Sequence, residues 1–329
     1  MNSFGKNFRV QIFGQSHGEY VGIIIDGCPP GISLTVDDFT EDIERRKPGA
    51  KGTTPRKEDD IPEIISGVFN NKTTGAPITI LFKNGNTRSS DYEKLRAVPR
   101  PGHADFVAHK KFNGFEDYRG GGHFSGRLTV ALVAAGVVAK KTIESFANDK
   151  KINIEATILE VGGEKDIEAG LQKAIDAKDS VGGIVECKVD GLPVGLGEPF
   201  FDSVESLISH AVFAIPAIKG IEFGAGFAAA KMFGLEHNDA IINPDGTTAT
   251  NNAGGIVGGI TNGNELIFRT VVKPTSSTPK EQKTLNMESG KVEPFSVKGR
   301  HDLCIALRVP VILEAVTAMV LADLFLTEQ

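Results

Sequence analysis

The chain of 329 residues is 40% hydrophobic and 24% charged, which is the composition of a globular protein and not of a disordered or fibrous one. Its formal net charge of −6 disfavours binding to nucleic acid and to anionic membrane surfaces. The first residues lack the basic start and apolar stretch of a secretory signal, and no unbroken apolar run approaches the roughly 18 residues that span a bilayer.

The first third of the chain contains one helix signal and two strand signals. A capping pattern that begins at Thr35 predicts a helix of about ten residues that ends at Arg46. Short apolar runs bounded by turn residues predict strands at 61–68 and 78–82. From 84 to 126 the sequence is polar, glycine-rich and without period, which is typical of a functional or disordered segment.

The rest of the chain alternates irregularly between helix and strand signals. Apolar residues recur on nearly all sides of 128–146 and 311–326, which predicts two buried helices. The remaining patterns predict further helices at 166–178 and 203–214 and strands at 185–189 and 266–272. This order is too irregular for a doubly wound sheet or a barrel, so we expect an α+β layered fold.

Arginine is concentrated towards the two ends of the chain. Nine of the twelve arginines precede residue 128, three follow residue 268, and the middle has none. One interpretation is that lysine simply serves the solvated faces of the middle segment. The other is that arginine marks an anion site built from both ends, because its planar fork binds carboxylate and phosphate with two hydrogen bonds.

Several short blocks combine glycine with histidine, arginine or hydroxyl residues. Three of them are FGQSHG at 13–18, RPGHAD at 100–105 and GRHD at 299–302, and each on its own could be a structural turn. Three glycines at 120–122 run into the predicted helix, where free backbone N–H groups and the helix dipole favour an anion. The segment 273–277 adds a lysine and three hydroxyls, which suit a phosphate or a capped turn.

Other familiar site motifs are missing from the sequence. It has no GxxxxGK[ST] loop, no strand-linked GxGxxG with a distant acid and no HExxH. The three cysteines, Cys28, Cys187 and Cys304, lack the spacing of zinc sites or disulfide frameworks. We therefore expect no metal site and a cytoplasmic location.

The order of the motifs is more specific than any one of them. The sequence contains, in this order, FGQSHG, DGCPPG, RRKPG, SGVFNNKTTGAPI, RPGHAD, YRGGG, GLPVGLGEPFFD, AIKGIEFGAGF, NNAGGIVGGITNG, KPTSS and GRHDLC. This series resembles the chorismate synthase family from about residue 9 to the C-terminus.

The resemblance implies a fold, a reaction and a cofactor. It implies one domain over 1–329 with a β-α-β sandwich fold, usually assembled as a homotetramer. It implies binding of reduced FMN beneath 5-enolpyruvylshikimate 3-phosphate, a small anionic substrate. The reaction is a trans-1,4-elimination of phosphate that gives chorismate without consuming the flavin, and NADPH is a candidate reductant in family members that reduce their own flavin.

The resemblance also implies roles for individual residues. Three are expected to be catalytic: His17 near the leaving phosphate, His103 against the flavin, and Asp302 acting at flavin N5. The residues expected to bind substrate are Ser16, Arg45, Arg46, Arg100 and Arg127. The residues expected to bind cofactor are Arg46 (NADPH) and, for FMN, His123, Phe124, Ser125, Ala217, Gly258, Lys273, Pro274, Thr275, Ser276, Ser277 and Arg300.

Two departures from the family pattern affect the expected pocket. His123 and Phe124 stand where the family usually has arginine and serine, and Lys51 stands where another arginine is expected. Two other functions stay open at this point. A flavin oxidoreductase would use the same flavin site for net hydride transfer, and a non-catalytic anion-binding protein would retain only the fold.

Overall fold

The computed structural model describes residues 2–49, 51–54, 59–85, 96–146, 151–297 and 301–328. Within them the strands are β1 Ser3–Phe4, β2 Arg9–Gly14, β3 Tyr20–Asp26, β4 Glu63–Ser66, β5 Val68–Phe69, β6 Lys72–Thr73, β7 Ile78–Lys83, β8 Asn153–Val161, β9 Gly183–Asp190, β10 Ile218–Phe223, β11 Ile256–Val257, β12 Ile260–Thr261, β13 Leu266–Val272, β14 Gln282–Leu285 and β15 Val292–Phe295. The α-helices are α1 Thr40–Arg46, α2 Asp105–Lys111, α3 Thr129–Phe146, α4 Ile167–Ala177, α5 Val204–Val212, α6 Gly234–His237 and α7 Val309–Thr327.

Two antiparallel sheets enclose a layer of helices. The first sheet has the strand order β1-β2-β3-β7-β4, and the second has the order β10-β13-β9-β8. Helix α3 packs on β3 and β7 of the first sheet, α7 packs on β8 and β9 of the second, and the two helices pack against each other. The fold is therefore the expected α+β sandwich with a sheet-helix-sheet layering.

The position of α3 and α7 explains their sequence. A helix covered by a sheet on one side and by other helices on the remaining sides has no solvated face, so it is apolar all round. Gly136 allows the two helices to approach closely, because a Cβ at this position would lie 2.4 Å from Ala315 Cβ. By length and hydropathy the segment Ile305–Thr327 could span a bilayer, but 89% of its most apolar window is buried inside the fold.

The acidic residues of α7 are paired inside the core. Glu314 is 2% exposed and accepts two hydrogen bonds from Arg45, at 2.6 and 2.7 Å. Asp323 accepts hydrogen bonds from the backbone N–H groups of residues 6–8. These carboxylates attach α1 and the start of β2 to the helical layer, which offsets the cost of burying them.

Strand pairing follows the side-chain alternation that the sequence shows. In β13, residues 266, 268, 270 and 272 are buried, and 267, 269 and 271 are less so, which is the period of two expected for a half-buried strand. The predicted helix at 35–46 is divided into a 3-10 turn at Val36–Phe39 and α1. Helix α2 lies inside the segment 84–126 for which no element was expected.

Candidate active site

A cavity of about 750 Å³ opens where α3 and α7 begin. Its wall includes β1, the end of α1, the segment 123–129, the chain between α5 and β10, Lys273 with residues 275–277, and the start of α7. Both central helices direct their N-terminal ends at this space, and the partial positive charge of a helix N-terminus favours an anion. The fold thus brings the two arginine-rich ends of the chain to one place.

Most of the residues singled out from the sequence line this cavity. They are Arg46, Arg100, His103, His123, Phe124, Ser125, Arg127, Ala217, Lys273, Thr275, Ser276, Ser277 and Asp302.

Ser16 and His17 lie directly behind the cavity wall at Gly120. Their loop is tied to the glycine run by a hydrogen bond from Ser16 N to Gly122 O, at 3.0 Å. A Cβ at Gly120 would lie 2.4 Å from His17 Cδ2 and 2.8 Å from Ser16 Oγ, so only glycine lets these side chains approach the cavity so closely. Ser16 is 1% exposed, and its Oγ has no hydrogen-bond partner among the residues that the structure describes.

His103 is held by a carboxylate from its own motif. Its Nδ1 lies 2.6 Å from Asp105 Oδ1 and 3.0 Å from Arg100 Nη2. Because the Asp105 carboxylate can only accept, its contact with Nδ1 places the His103 proton on that nitrogen, and Arg100 then donates to Asp105, at 2.7 and 2.8 Å, and not to the ring. Burial opposes ionisation of Asp105, but the hydrogen bonds from Arg100 and His103 hold its pKa well below the ordinary value. In the neutral ring, Nε2 is then the basic atom.

Arg46 and Arg127 share one buried carboxylate. Asp60 Oδ2 accepts from Arg46 Nη1 at 3.1 Å, and Asp60 Oδ1 accepts from Arg127 Nη1. Burial and the nearby Arg308 lower the pKa of Arg46 to about 9, so it is still a cation at neutral pH. Two buried guanidinium groups with one carboxylate leave an excess of positive charge at the cavity wall.

The segment 273–277 presents one ammonium group and three hydroxyls. Lys273 Nζ donates to Gly102 O at 2.6 Å and to Ser276 Oγ at 2.8 Å. Burial and then the neighbouring Lys219 lower the pKa of Lys273. Arg100 Nη1 donates to Ser277 Oγ at 3.2 Å, which joins this segment to the His103 cluster.

Asp302 and Ala217 form two further parts of the wall. Asp302 Oδ1 accepts from Thr54 N at 2.8 Å, and Oδ2 accepts from Arg308 Nη1 at 3.3 Å. Ala217 has a φ of +76°, unusual for a residue with a Cβ, and its carbonyl accepts from Lys273 N at 2.9 Å. A strained backbone at a cavity wall is typical of a binding site.

Both ring nitrogens of His123 face oxygen atoms of the protein. Nδ1 lies 2.8 Å from Gly14 O, and Nε2 lies 3.1 Å from Asn2 Oδ1. Its neighbour Phe124 is 39% exposed and packs against the ring of Phe112, with centroids 6.3 Å apart. His123 therefore lines the cavity while its nitrogens contact Asn2, just before β1, and Gly14, the last residue of β2.

Some of the expected site residues do not reach the cavity. Arg45 pairs with the buried Glu314, so the structure commits its guanidinium to the helical layer and not to a ligand. Gly258 is exposed, and neither it nor Pro274 contributes to the cavity wall. Arg300 lies outside the described residues. Lys51 pairs with Glu168 at 3.1 Å on the surface.

Four residues of the cluster were not singled out from the sequence. They are Asp60, Asp105, Lys219 and Arg308, which contact or line the same cavity. Of these, Asp105 had a signal, since it ends the RPGHAD block two residues after His103. The others are ordinary charged residues in the sequence, and only the fold brings them to the cavity.

Comparison with known proteins identifies the family. The profile described as chorismate synthase matches residues 8–326. The chain belongs to the chorismate synthase family. Chorismate synthase from Chitinophaga pinensis is 73% identical over 329 residues, covering 100% of this chain and 98% of that protein. Chorismate synthase from Dehalococcoides mccartyi is 45% identical over 351 residues, covering 99% of this chain and 96% of that protein.

A solved structure supports the same assignment at the level of the fold. It is described as a crystal structure of chorismate synthase, is 25% identical, and has a TM-score of 0.74 over 99% of this chain and 93% of that one. These findings confirm the resemblance seen in the motifs, the α+β fold and the function of the family, a carbon–oxygen lyase of aromatic amino-acid biosynthesis.

Proposed function

We propose that the cavity binds reduced FMN and 5-enolpyruvylshikimate 3-phosphate together, and that the chain eliminates phosphate from this substrate to give chorismate. The observation that carries the proposal is the convergence of Arg46, Arg100, Arg127, Lys273 and Arg308 on one cavity of about 750 Å³ in an acidic chain. The substrate has two carboxylates and a phosphate, and FMN brings a second phosphate. Such ligands need concentrated positive charge.

The segment 273–277 fits the phosphate of FMN. Lys273, Thr275, Ser276 and Ser277 line one wall, so a cation and three hydroxyls face the same part of the cavity. Ala217, whose carbonyl accepts a hydrogen bond from Lys273 N, would lie beside the cofactor. When bound, reduced FMN supplies electron density that assists the departure of phosphate and is then restored. The proposed FMN contacts at Gly258 and Pro274 are not supported by the cavity geometry, and the one at Arg300 lies outside the described residues.

Arg46, Arg100 and Arg127 are suited to the anionic groups of the substrate. Arg100 and Arg127 are at most 7% exposed, and their orientations are set by carboxylates, so they need little reordering on binding. His17 and Ser16 lie behind Gly120, and Ser16 Oγ has no partner among the described residues, so both side chains could donate to the leaving phosphate as its negative charge grows.

His103 and Asp302 are the proposed acid–base pair. Asp105 keeps the proton of His103 on Nδ1, which leaves Nε2 to exchange a proton on the cavity side. Asp302 accepts only two hydrogen bonds from described residues, so its carboxylate retains lone pairs that can take a proton. We expect His103→Ala and Asp302→Ala each to lower turnover by about a hundredfold or more while FMN still binds.

The deciding experiment incubates the protein anaerobically with the enolpyruvyl substrate and chemically reduced FMN. We expect chorismate and phosphate in equal amounts, with the flavin still reduced at the end. Product without any flavin, or one flavin oxidised per turnover, would contradict the lyase mechanism; the second result would favour the oxidoreductase. Turnover of Asp302→Ala within twofold of wild type would remove Asp302 from the mechanism.

We further propose that the chain acts as one domain within a homotetramer in the cytoplasm. The support for assembly is a set of large apolar side chains at the surface between residues 200 and 235, where Phe201 and Leu235 are each 92% exposed. Light scattering on the purified protein tests the tetramer. NADPH as reductant is tested separately, by anaerobic addition of NADPH to protein with oxidised FMN and measurement of flavin absorbance.

A further inference from the structure

Asp60 connects two arginines that come from different parts of the fold. Arg46 is the last residue of α1, and Arg127 lies in the turn that precedes α3. The Asp60 side chain is 1% exposed, and each of its oxygens accepts from one of the two guanidinium groups. All three residues line the cavity, so the carboxylate forms part of the wall and fixes the separation of the two cations.

Several other donors of the two arginines also bond fixed groups of the protein. Arg46 donates to Thr129 Oγ1 at 3.0 Å and to Gly126 O at 3.2 Å. Arg127 Nε donates to Asn84 Oδ1 at 2.8 Å. Asn84 Nδ2 in turn donates to Gly18 O at 2.8 Å, in the loop that carries Ser16 and His17. Asp60 is therefore one end of a hydrogen-bonded path to that loop.

The backbone at Asp60 supports a specific role for its position. Its φ is +51°, in the left-handed region that residues with a Cβ seldom adopt. The surrounding structure must therefore hold this residue in place, and such positions cluster at functional sites. A carboxylate needed only for charge could sit on an unstrained residue of the same segment.

We infer that Asp60 is a positioning residue, whose carboxylate holds Arg46 and Arg127 in the arrangement that binds the substrate's anionic groups. This inference rests on the proposed function for the identity of the anion. For anion affinity, the inference predicts the opposite of what the loss of one negative charge alone would cause. Removing a negative charge beside an anion site should strengthen anion binding if only the local potential matters. Loss of positioning should weaken it.

The test compares Asp60→Asn and Asp60→Ala with the matched control Asp59→Asn, which changes the exposed neighbour. For each we would measure KM and kcat with reduced FMN, and the affinity for inorganic phosphate without flavin. Asp60→Asn keeps the side-chain shape but turns one acceptor into a donor that faces a guanidinium. We expect KM to rise and phosphate affinity to fall by about tenfold or more, the ratio for one charge-assisted hydrogen bond, with a smaller change in kcat.

A second comparison uses Arg127→Gln, alone and combined with Asp60→Asn. If Asp60 acts through this arginine, the double variant should lose less substrate affinity than the two single changes predict when multiplied. Unchanged or tighter binding in both Asp60 variants would overturn the inference, and so would failure of Asp60→Asn to fold, because the carboxylate would then serve stability. If wild type formed no chorismate, the proposed function would fail while the phosphate measurements still decided the role of Asp60.

Discussion

The contact between Gly120 and His17 allows the position of one proposed catalytic side chain to be tested without changing that side chain. A Cβ at Gly120 would lie 2.4 Å from His17 Cδ2 and 2.6 Å from its Nε2. At the neighbouring Gly121, a Cβ would lie 3.4 Å from His103 Cε1, an ordinary contact. Both glycines have positive φ, +61° and +83°. Alanine at either position therefore strains the backbone, but only Gly120→Ala displaces a side chain.

The magnitude follows from these distances. Each alanine should cost about 1–2 kcal/mol of stability for the left-handed backbone. In Gly120→Ala, His17 must also move by about 1 Å to restore an ordinary contact. A displacement of that size at a catalytic group costs on the order of a hundredfold in rate. We therefore expect Gly120→Ala to turn over about a hundredfold more slowly than Gly121→Ala at similar stability.

Anaerobic turnover with reduced FMN and thermal unfolding of both variants provide the measurement. Adding His17→Ala to Gly120→Ala should lower the rate little further, because the histidine is already displaced. Equal turnover of the two glycine variants would refute the placement of His17 in the site. So would a Gly120→Ala variant whose lower rate is matched by lower stability, since the defect would then be one of folding.

Three other predictions follow from contacts described above. Gly136→Ala should destabilise the protein by about 1–3 kcal/mol in urea unfolding, because its Cβ would overlap Ala315, whereas Gly234→Ala, where a Cβ meets nothing within 4 Å, should change stability far less. The pKa of Asp105 is lowered, so its ionisation stabilises the fold at pH values above the ordinary pKa of 3.8, and this contribution is lost as the pH falls further. The difference in unfolding free energy between wild type and Asp105→Asn should therefore be smaller in acid than at pH 7. His123→Arg should strengthen the affinity for reduced FMN at a fixed pH, because arginine places a permanent charge at this point of the cavity wall, as anaerobic titrations of both proteins would show.

The sequence predicts best those elements that are buried on all sides or that alternate between buried and exposed residues. Helices α3 and α7 are enclosed on all sides, so their apolar residues show no face and their length is obvious. Strands β9 and β13 lie in the middle of their sheet and alternate clearly. No strand was predicted at β2, β3, β8 or β10, because these strands are stabilised by pairing with residues distant in sequence, which the local pattern does not show.

The place of the site was predictable from its motifs, but the partner of each charged residue was not. The blocks that contain His17, His103 and Lys273 meet in one cavity, as the resemblance implies. Arg45 shows the limit of this reasoning, because two adjacent arginines at the end of α1 face different ways, and only the structure shows that Arg45 turns to Glu314. Asp60 shows the converse, since a carboxylate in an acidic surface-like segment gives no sign that it will be buried between two cations.

The substitution at position 123 can be understood from what the side chain donates. An arginine there would offer several N–H groups and a permanent charge. His123 offers at most two N–H groups, and the structure directs its nitrogens at Gly14 O and Asn2 Oδ1. When the ring is protonated, both contacts are donated hydrogen bonds and the cation lines the cavity; when it is neutral, only one can be donated unless the Asn2 amide turns. At this point of the wall the chain thus keeps a hydrogen-bond donor, and it carries a positive charge only when the ring is protonated. The exposed ring of Phe124 beside it adds an apolar surface against which a planar ligand could pack.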